Sequence, residues 1–529
     1  MKTKRTKTPS FILELPLKTS KKEEKELILR LESARKLYNA ILGEAKNRVY
    51  LVKQSKIFRK AKKISKNTKD KNKIALRKEL FQEAKNIYNF NEYSLHTYAC
   101  ELRHKLPNNL DVHTVQKLAT RAFKATEKIL YGTAKKVRFK GYNQFNSVES
   151  KSNASGIRWR DNKVEWNKLS LEPVIKLHDE VIEYSLKHRV KYSRIYRKII
   201  KGKNRFYVQL ILEGKAYIKD KNKLGKGTVC FDVGPSTIGI VAKNENNEFN
   251  AKLLQFCSEL DTRQSEIRKV QRNIERQRRK NNPQNYLENG KIKKGRLTWK
   301  KSKRQKENQK KLKELHRVIS SHRKSLHGKL ANETLRMGNV FKTEKISKKW
   351  LQKNYGKSIG TRAPAMYTSI LNRKAESAGG SFMEFATQTT KLSQTCVCGK
   401  QIKKKLSERV HNCECGVYCQ RDLFSAFLGI FVERVEKTEK EEKYILQADQ
   451  AEKSWSSADK LLRTAWQDST QSTSRGVRPS SFGTKSQSQS GSFAEMRIAD
   501  LKVQDVVAGL WPVESLKASE AFPLEPTGF

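Results

Sequence analysis

Cys396-Val397-Cys398-Gly399, then Cys413-Glu414-Cys415-Gly416, then Gln420-Arg421-Asp422-Leu423-Phe424-Ser425-Ala426: this stretch decides how the 529-residue chain is read. Two short thiol couples separated by a knuckle are what a tetrahedral Zn²⁺ takes as ligands. The second couple delivers the backbone directly to a carboxylate, Asp422. Leu423, Phe424, Ala426, Phe427, Leu428 and Ile430 follow at helical spacing, so Asp422 opens an apolar helix. A metal staple joined to an acid directs attention to metal-dependent phosphodiester chemistry.

Two further carboxylates lie upstream. Thr228 to Ala242 (TVCFDVGPSTIGIVA) reads as a strand, a tight turn and a second strand, with Asp232 among Val229, Phe231 and Val233. An ionised carboxylate there is costly unless it reaches a cation, donors or solvent. Gly234 and Gly239 are expected to permit close approach of backbone and phosphate. Glu344 ends another short apolar strand, Val340-Phe341-Lys342-Thr343-Glu344. Each acid also has an ordinary reading: Asp232 as a turn former, Glu344 as a surface residue between Lys342 and Lys345, Asp422 as a helix cap. Those readings do not account for the order, with one acid on a first strand, one on a later strand, and one opening a helix straight after a cysteine knuckle. Three such carboxylates can hold two Mg²⁺ ions about 4 Å apart, and hard oxygen ligands suit Mg²⁺. The nine histidines show no HxxxH or HxH spacing, which disfavours a zinc hydrolase.

Charge narrows the partners. The formal net charge is +58, and residues 436–529 hold 12 basic against 14 acidic residues, so residues 1–435 carry 100 against 40. Excess of one sign on that scale is matched by a polyanion, and counterion release makes nucleic acid the natural one. No apolar run approaches the roughly 18 to 20 residues of a membrane span, and MKTKRTKTPS lacks the apolar core of a secretory signal. No membrane partner is therefore expected, and a cytoplasmic location is. Of eight cysteines, Cys100, Cys230 and Cys257 are scattered and five lie between 396 and 419, which suits one metal site in a reducing compartment.

The length implies several domains. Residues 9–17 read as a strand. Leu27, Leu31, Ala34, Tyr38, Ile41 and Ala45 then begin a helical module that runs to about Tyr131 and is broken at Pro107. From Val137 the texture alternates large apolar and basic residues between Gly and Asn, predicting a small β-barrel. Trp159 and Trp166 beside arginines have the composition of a base-stacking platform, but filling of the barrel is the favoured reading. Amphipathic helices are predicted near 258–279, 302–336 and 363–378, with a mobile loop over 280–299 and a strand at 381–385. Residues 467–492 are rich in Ser, Thr, Gln and Gly, which predicts disorder.

On these motifs the chain resembles the TnpB family of transposon-encoded RNA-guided nucleases and the compact type V CRISPR effectors. Phe231-Asp232-Val233-Gly234 resembles the family's first RuvC motif, Val340 to Ile346 the second, and Arg421-Asp422 with Ala426 the third. Thr390 to Cys396 resembles the lead into its zinc ribbon. The usual ribbon spacing is CxxC, whereas both couples here are CxC. The usual Asp-Arg-Asp followed by Asn is here Gln420-Arg421-Asp422 with Ser425.

The resemblance implies a multidomain α+β protein. Its parts are an N-terminal strand of a wedge module (1–20), a helical recognition module (21–135), a β-barrel wedge module (136–218), an RNase H-like (RuvC) nuclease domain (219–392), an inserted zinc ribbon (393–419), the final nuclease helix (420–435) and a near-neutral, partly disordered tail (436–529). It implies catalytic Asp232, Glu344 and Asp422 holding Mg²⁺. Structural Zn²⁺ would sit on Cys396, Cys398, Cys413 and Cys415, with Cys419 as an alternative ligand and a metal-free ribbon as a further alternative. Its implied partners are a guide RNA and target double-stranded DNA, in a prokaryotic, nucleoid-associated setting. The sequence leaves monomer and homodimer equally open. Rival readings are an RNA-guided DNA-binding regulator that does not cut and an unguided RNase H-like transposase or nuclease.

Overall fold

The computed structural model describes residues 8–105, 110–345, 347–405, 408–438, 441–474 and 511–512. The chain divides into two compact units, residues 1–217 with 508–529, and residues 218–507. No helix among the described residues is long and apolar enough to cross a membrane.

In the first unit, β1 (Ser10–Lys18) buries Phe11, Leu13, Leu15 and Leu17 by strand alternation. Ser20 and Glu23 then form a capping box that starts α1 (Lys21–Gln54). The buried stripe of α1, including Leu27, Leu31, Ala34, Ile41 and Ala45, packs on α5 (Val112–Leu130). Between them lie α2 (Lys56–Lys63), α3 (Lys71–Ile87) and α4 (Glu92–Arg103). Strands β2 (Ser147–Glu149), β3 (Ile157–Arg160), β4 (Lys163–Trp166), β5 (Leu169–Pro173), β6 (Val190–Ile200) and β7 (Lys203–Glu213), with the short α6 (Glu180–Leu186), complete the unit. The sheet order is β2-β6-β7-β1-β5-β4-β3, and Trp511–Pro512 also pairs with β1.

The helices and this sheet share one apolar core. Helical and β-rich segments that the sequence separates at residue 135 therefore form a single packed body. Trp166 is its hinge pin: fully buried, it donates Nε1–H to Asp111 Oδ2 at 2.9 Å and lies under the Arg30 guanidinium, 4.8 Å from the ring centre. Its ring is a core element, and Arg158 beside Trp159 is paired with Glu165 at 2.9 Å.

The second unit is built on a five-stranded sheet. β8 (Thr228–Val233), β9 (Thr237–Lys243) and β10 (Phe249–Gln255) form an antiparallel meander. A helical pair, α7 (Asp261–Asn281) and α8 (Lys303–Leu335), leads to β11 (Val340–Glu344), which returns parallel to β8. α9 (Lys348–Arg362) and α10 (Pro364–Ser377) then lead to β12 (Ser381–Phe385), parallel to β11. The resulting order is β10-β9-β8-β11-β12. After α11 (Thr387–Thr390) come the knuckle hairpin of β13 (Val410–Asn412) and β14 (Tyr418–Gln420), and α12 (Arg421–Ile430).

Three expectations are corrected here. Residues 280–299 do not form a loose loop at their base. The buried Asn282 side chain donates to Lys300 O at 2.9 Å and accepts from Lys300 N–H at 2.6 Å, Asn285 holds Thr298 O, and Arg278 stacks 3.8 Å from the Trp299 ring centre. The chain also does not become a tail at residue 436. β15 (Val432–Thr438) pairs with β16 (Glu441–Leu446), and α13 (Ala448–Ser474) follows, burying Ala451, Ala458 and Leu462 in the core around α12. Trp455 meets Phe424 and Phe427 edge-on. Polar composition concealed the helix because only a narrow stripe of small and aliphatic side chains is needed where aromatics supply the contact. Helix α13 includes residues 467–474, so the disorder expected for 467–492 is not found there; residues 475–492 lie outside the described residues.

Candidate metal-binding acid site and thiol knuckle

Parallel pairing of β8 with β11 matches Thr228 to Val340, Val229 to Phe341 and Cys230 to Lys342. The same offset carries Asp232 level with Glu344, and Thr343 Oγ1 fixes it by donating to Phe231 O at 2.9 Å. Alternation puts Cys230, Asp232, Lys342 and Glu344 on one face of the sheet. Helix α12 lies on that face. Its approach requires Gly239, the cross-strand partner of Asp232: a Cβ there would stand 2.6 Å from Asp422 O. Gly429 plays the same part at the other end, where a Cβ would meet Cys230 Sγ at 2.2 Å. Gly239 therefore admits the helix rather than a phosphate, which corrects the sequence reading.

The first turn of α12 carries Asp422 into the cluster. The cap of this helix is Gln420, whose Oε1 accepts from Leu423 N–H at 2.8 Å, so the Asp422 carboxylate is not spent on capping. It is buried, accepts from Thr237 Oγ1 at 2.6 Å, and has Arg421 Nε 3.8 Å from Oδ1. Asp232, Glu344 and Asp422 are thus brought together from three separated parts of the chain.

Burial and neighbouring charge show in the protonation of Asp232 and Glu344. Burial first, then the charges of Asp422 and Glu344, push the Asp232 carboxyl well above the usual carboxylate range, against the lowering influence of Arg421 and Arg409. Burial raises Glu344 to about 7, opposed by a hydrogen bond from the Leu392 backbone. A cluster of carboxylates that cannot comfortably ionise together fits a divalent cation.

Lys342, two residues before Glu344, was invisible as a functional residue because a lysine beside an acid on a short strand reads as solvated surface. Its Nζ donates to Ile430 O at 2.7 Å and Val432 O at 2.8 Å, closing the carboxyl end of α12. Burial lowers its pKa. Helix α12 is therefore held at its start by Gln420 and Thr237 and at its end by Lys342. Thr237 likewise gave no signal beyond a Thr after a turn.

The thiol knuckle immediately precedes this helix. Cys396, Cys398, Cys413 and Cys415 bring their sulfurs within 4.8 Å of one another, with 3.5 Å between Cys396 and Cys415 and 3.8 Å between Cys398 and Cys413. Tetrahedral Zn–S bonds of about 2.3 Å place sulfurs about 3.8 Å apart, so the four fit Zn²⁺. The two couples are built alike. Cys396 N–H donates to Lys400 O and Gly399 N–H to Cys396 O; Cys413 N–H donates to Val417 O and Gly416 N–H to Cys413 O. Gly399 and Gly416 hold φ of 79° and 86°, which a side chain would strain. Cys419 is not part of the group: it is buried on β14, facing Asp459 and Arg463, and burial pushes its thiol up to about 12. All eight cysteines are free thiols.

Neither a protein-family model nor a curated protein matches this chain. Among solved structures it is similar to the protein in the cryo-EM structure of the Cas12f1–sgRNA–target DNA complex, with 12% identity over 80% of this chain and 98% of that one and a TM-score of 0.38. It is also similar to the protein in the cryo-EM structure of a CRISPR–Cas12f ternary complex, with 14% identity over 77% of this chain and 81% of that one and a TM-score of 0.28.

Proposed function

We propose that this chain is an RNA-guided DNA endonuclease that hydrolyses phosphodiesters at a single RuvC-like site formed by Asp232, Glu344 and Asp422. The convergence of these three acids on one face of the second unit's sheet carries the reading. The strand order β10-β9-β8-β11-β12, an antiparallel meander followed by two parallel strands, supports an RNase H-like core.

When bound there, a pair of Mg²⁺ ions supplies activation of water and stabilisation of the leaving oxygen. Asp232 and Glu344, level on adjacent parallel strands, offer oxygen ligands whose raised proton affinity a divalent cation would relieve. Asp422 offers a third, its direction set by the Thr237 hydroxyl. Arg421 and Arg409 bring positive charge to the same place, where a substrate phosphate would lie. The knuckle sulfurs fit a structural Zn²⁺ that fixes the strand leading into Asp422.

The guided part rests on the motif resemblance and on charge. A chain of net +58 with two basic units calls for an extensive polyanion, and in guided nucleases base pairing reads sequence while protein reads backbone and geometry. The test is to purify the protein from its native locus, sequence the RNA it retains, and offer that complex a matching duplex with Mg²⁺. A discrete RNA and cleavage directed by it are expected. Cleavage without a discrete RNA would leave an unguided nuclease or transposase, and guided binding without cleavage would leave a regulator.

A further inference from the structure

The segment between Glu344 and the end of α9 has no role in the acid site, yet it is tied to that site at both ends. At one end it continues from β11. At the other, Ser358 Oγ donates to Pro235 O at 2.5 Å, three residues beyond Asp232, and Arg362 Nε donates to Phe256 O at 2.8 Å. Trp350 lies six residues beyond Glu344 and eight before Ser358, so only a short stretch of chain separates it from either anchor. The helix departs from regular geometry at Tyr355 (φ −128°, ψ 29°).

Three observations at this arch go together. Trp350 is 43% exposed, a large indole left open to solvent. Tyr355 braces it in a T-shaped contact, ring centres 6.1 Å apart, which covers at most one face of either ring. Residues 345–362 contain six basic residues and no acidic one, with Lys345, Lys353 and Lys357 exposed. A solvated lysine face would explain the charge but not the braced, open indole. An aromatic face among cations is the chemistry that takes an unpaired base and its phosphates together.

The geometry points to Trp350 as a stacking platform for an unpaired base of the DNA strand being led to the acid site, with Lys345, Lys353 and Lys357 tracking its phosphates. This deepens the nuclease reading and rests on it for the direction of the strand. A strand reaching the acid site gains from a neutral stacking contact that holds a base while its phosphate meets the acids.

The test uses the full chain with its retained RNA. Single-stranded DNA carrying 5-iododeoxyuridine is crosslinked by light in the Asp232→Ala background, and the attached peptide is identified by mass spectrometry. A crosslink at Trp350 that Trp350→Ala abolishes and duplex DNA does not give is expected. With the acids intact, Trp350→Ala should raise KM for single-stranded DNA about tenfold with kcat little changed, while Trp350→Phe keeps most of the affinity. No crosslink at Trp350 together with unchanged KM would overturn the platform while cleavage upheld the nuclease. A Trp350 crosslink without cleavage by the intact protein would overturn the nuclease instead. Stronger crosslinking to RNA of the same sequence would overturn the assignment to DNA.

Discussion

The acid cluster and the thiol knuckle both gather like groups that could take a metal ion in the second unit, but by opposite routes. The four sulfurs come from residues 396 to 415, and each couple is shaped by its own turn, with its own backbone bonds and a left-handed glycine. The three carboxylates come from residues 232, 344 and 422, and nothing local places any of them beside the others. Their approach is imposed by strand register, by the missing side chain of Gly239 and by Lys342 at the far end of α12. A local site tolerates change elsewhere. A site assembled from distant elements stores its cost in raised proton affinities and depends on every support.

Several measurements would break or sharpen this contrast. The largest effect is expected at the acids: Asp232→Ala and Asp422→Ala should each lower Mg²⁺-dependent cleavage by about a thousandfold or more, with guide and target binding nearly unchanged in filter-binding assays. Equal loss of binding would make these acids structural.

Cys413→Ser should remove the bound zinc measured by elemental analysis and lower the unfolding midpoint, because a structural metal contributes folding free energy. Zinc content equal to that of the unaltered protein would sink the ligand assignment. Cys419→Ser should leave zinc content unchanged.

Lys342→Met should come next. It leaves the Ile430 and Val432 carbonyls without their shared donor, at a cost of about 1 to 3 kcal/mol in denaturant unfolding. Cleavage should also need more Mg²⁺, since α12 carries Asp422. Unaltered stability and Mg²⁺ dependence would show that the helix is held without Lys342.

The smallest effect is a pH dependence. Glu344 is raised from its ordinary 4.5 to about 7, and Asp232 is raised in the same direction, so the metal-free folded state holds these protons more tightly than the unfolded chain. The contribution of Glu344 to stability is full below the ordinary carboxylate range and is lost as pH rises through about 7, and that of Asp232 is lost in the same direction. Mg²⁺ should therefore raise the melting temperature more at about pH 8 than at about pH 5. Equal increments would indicate that the cation binds elsewhere.

What was readable in the sequence follows the same contrast. The four thiols of the knuckle could be picked out, with Cys419 left as an alternative, because cysteine spacing and the glycines after each couple are local signals. Asp232, Glu344 and Asp422, which the structure brings together, also stood out in the sequence, each as a carboxylate interrupting an apolar strand or helix. Their supports were not. Lys342 looked like surface beside Glu344, Gly239 looked like room for phosphate, and the hydrogen bonds of Asn282 and Asn285 to Lys300 and Thr298 were hidden in a run of Lys, Gly and Asn. Helix α13 was hidden by polar composition, because a few small and aliphatic residues with Trp455 suffice where α12 presents Phe424 and Phe427.

By itself the sequence determined the charge that calls for a polyanion, the two thiol turns, and which carboxylates were candidates to meet in one site. Local backbone preference and side-chain chemistry suffice for those. Only the tertiary structure decided that Asp232 and Glu344 lie level, that Cys419 is excluded from the knuckle, and that α12 settles over Gly239 with Lys342 at its end. Those are facts of register and close packing between residues more than a hundred positions apart, and no window of sequence contains both partners.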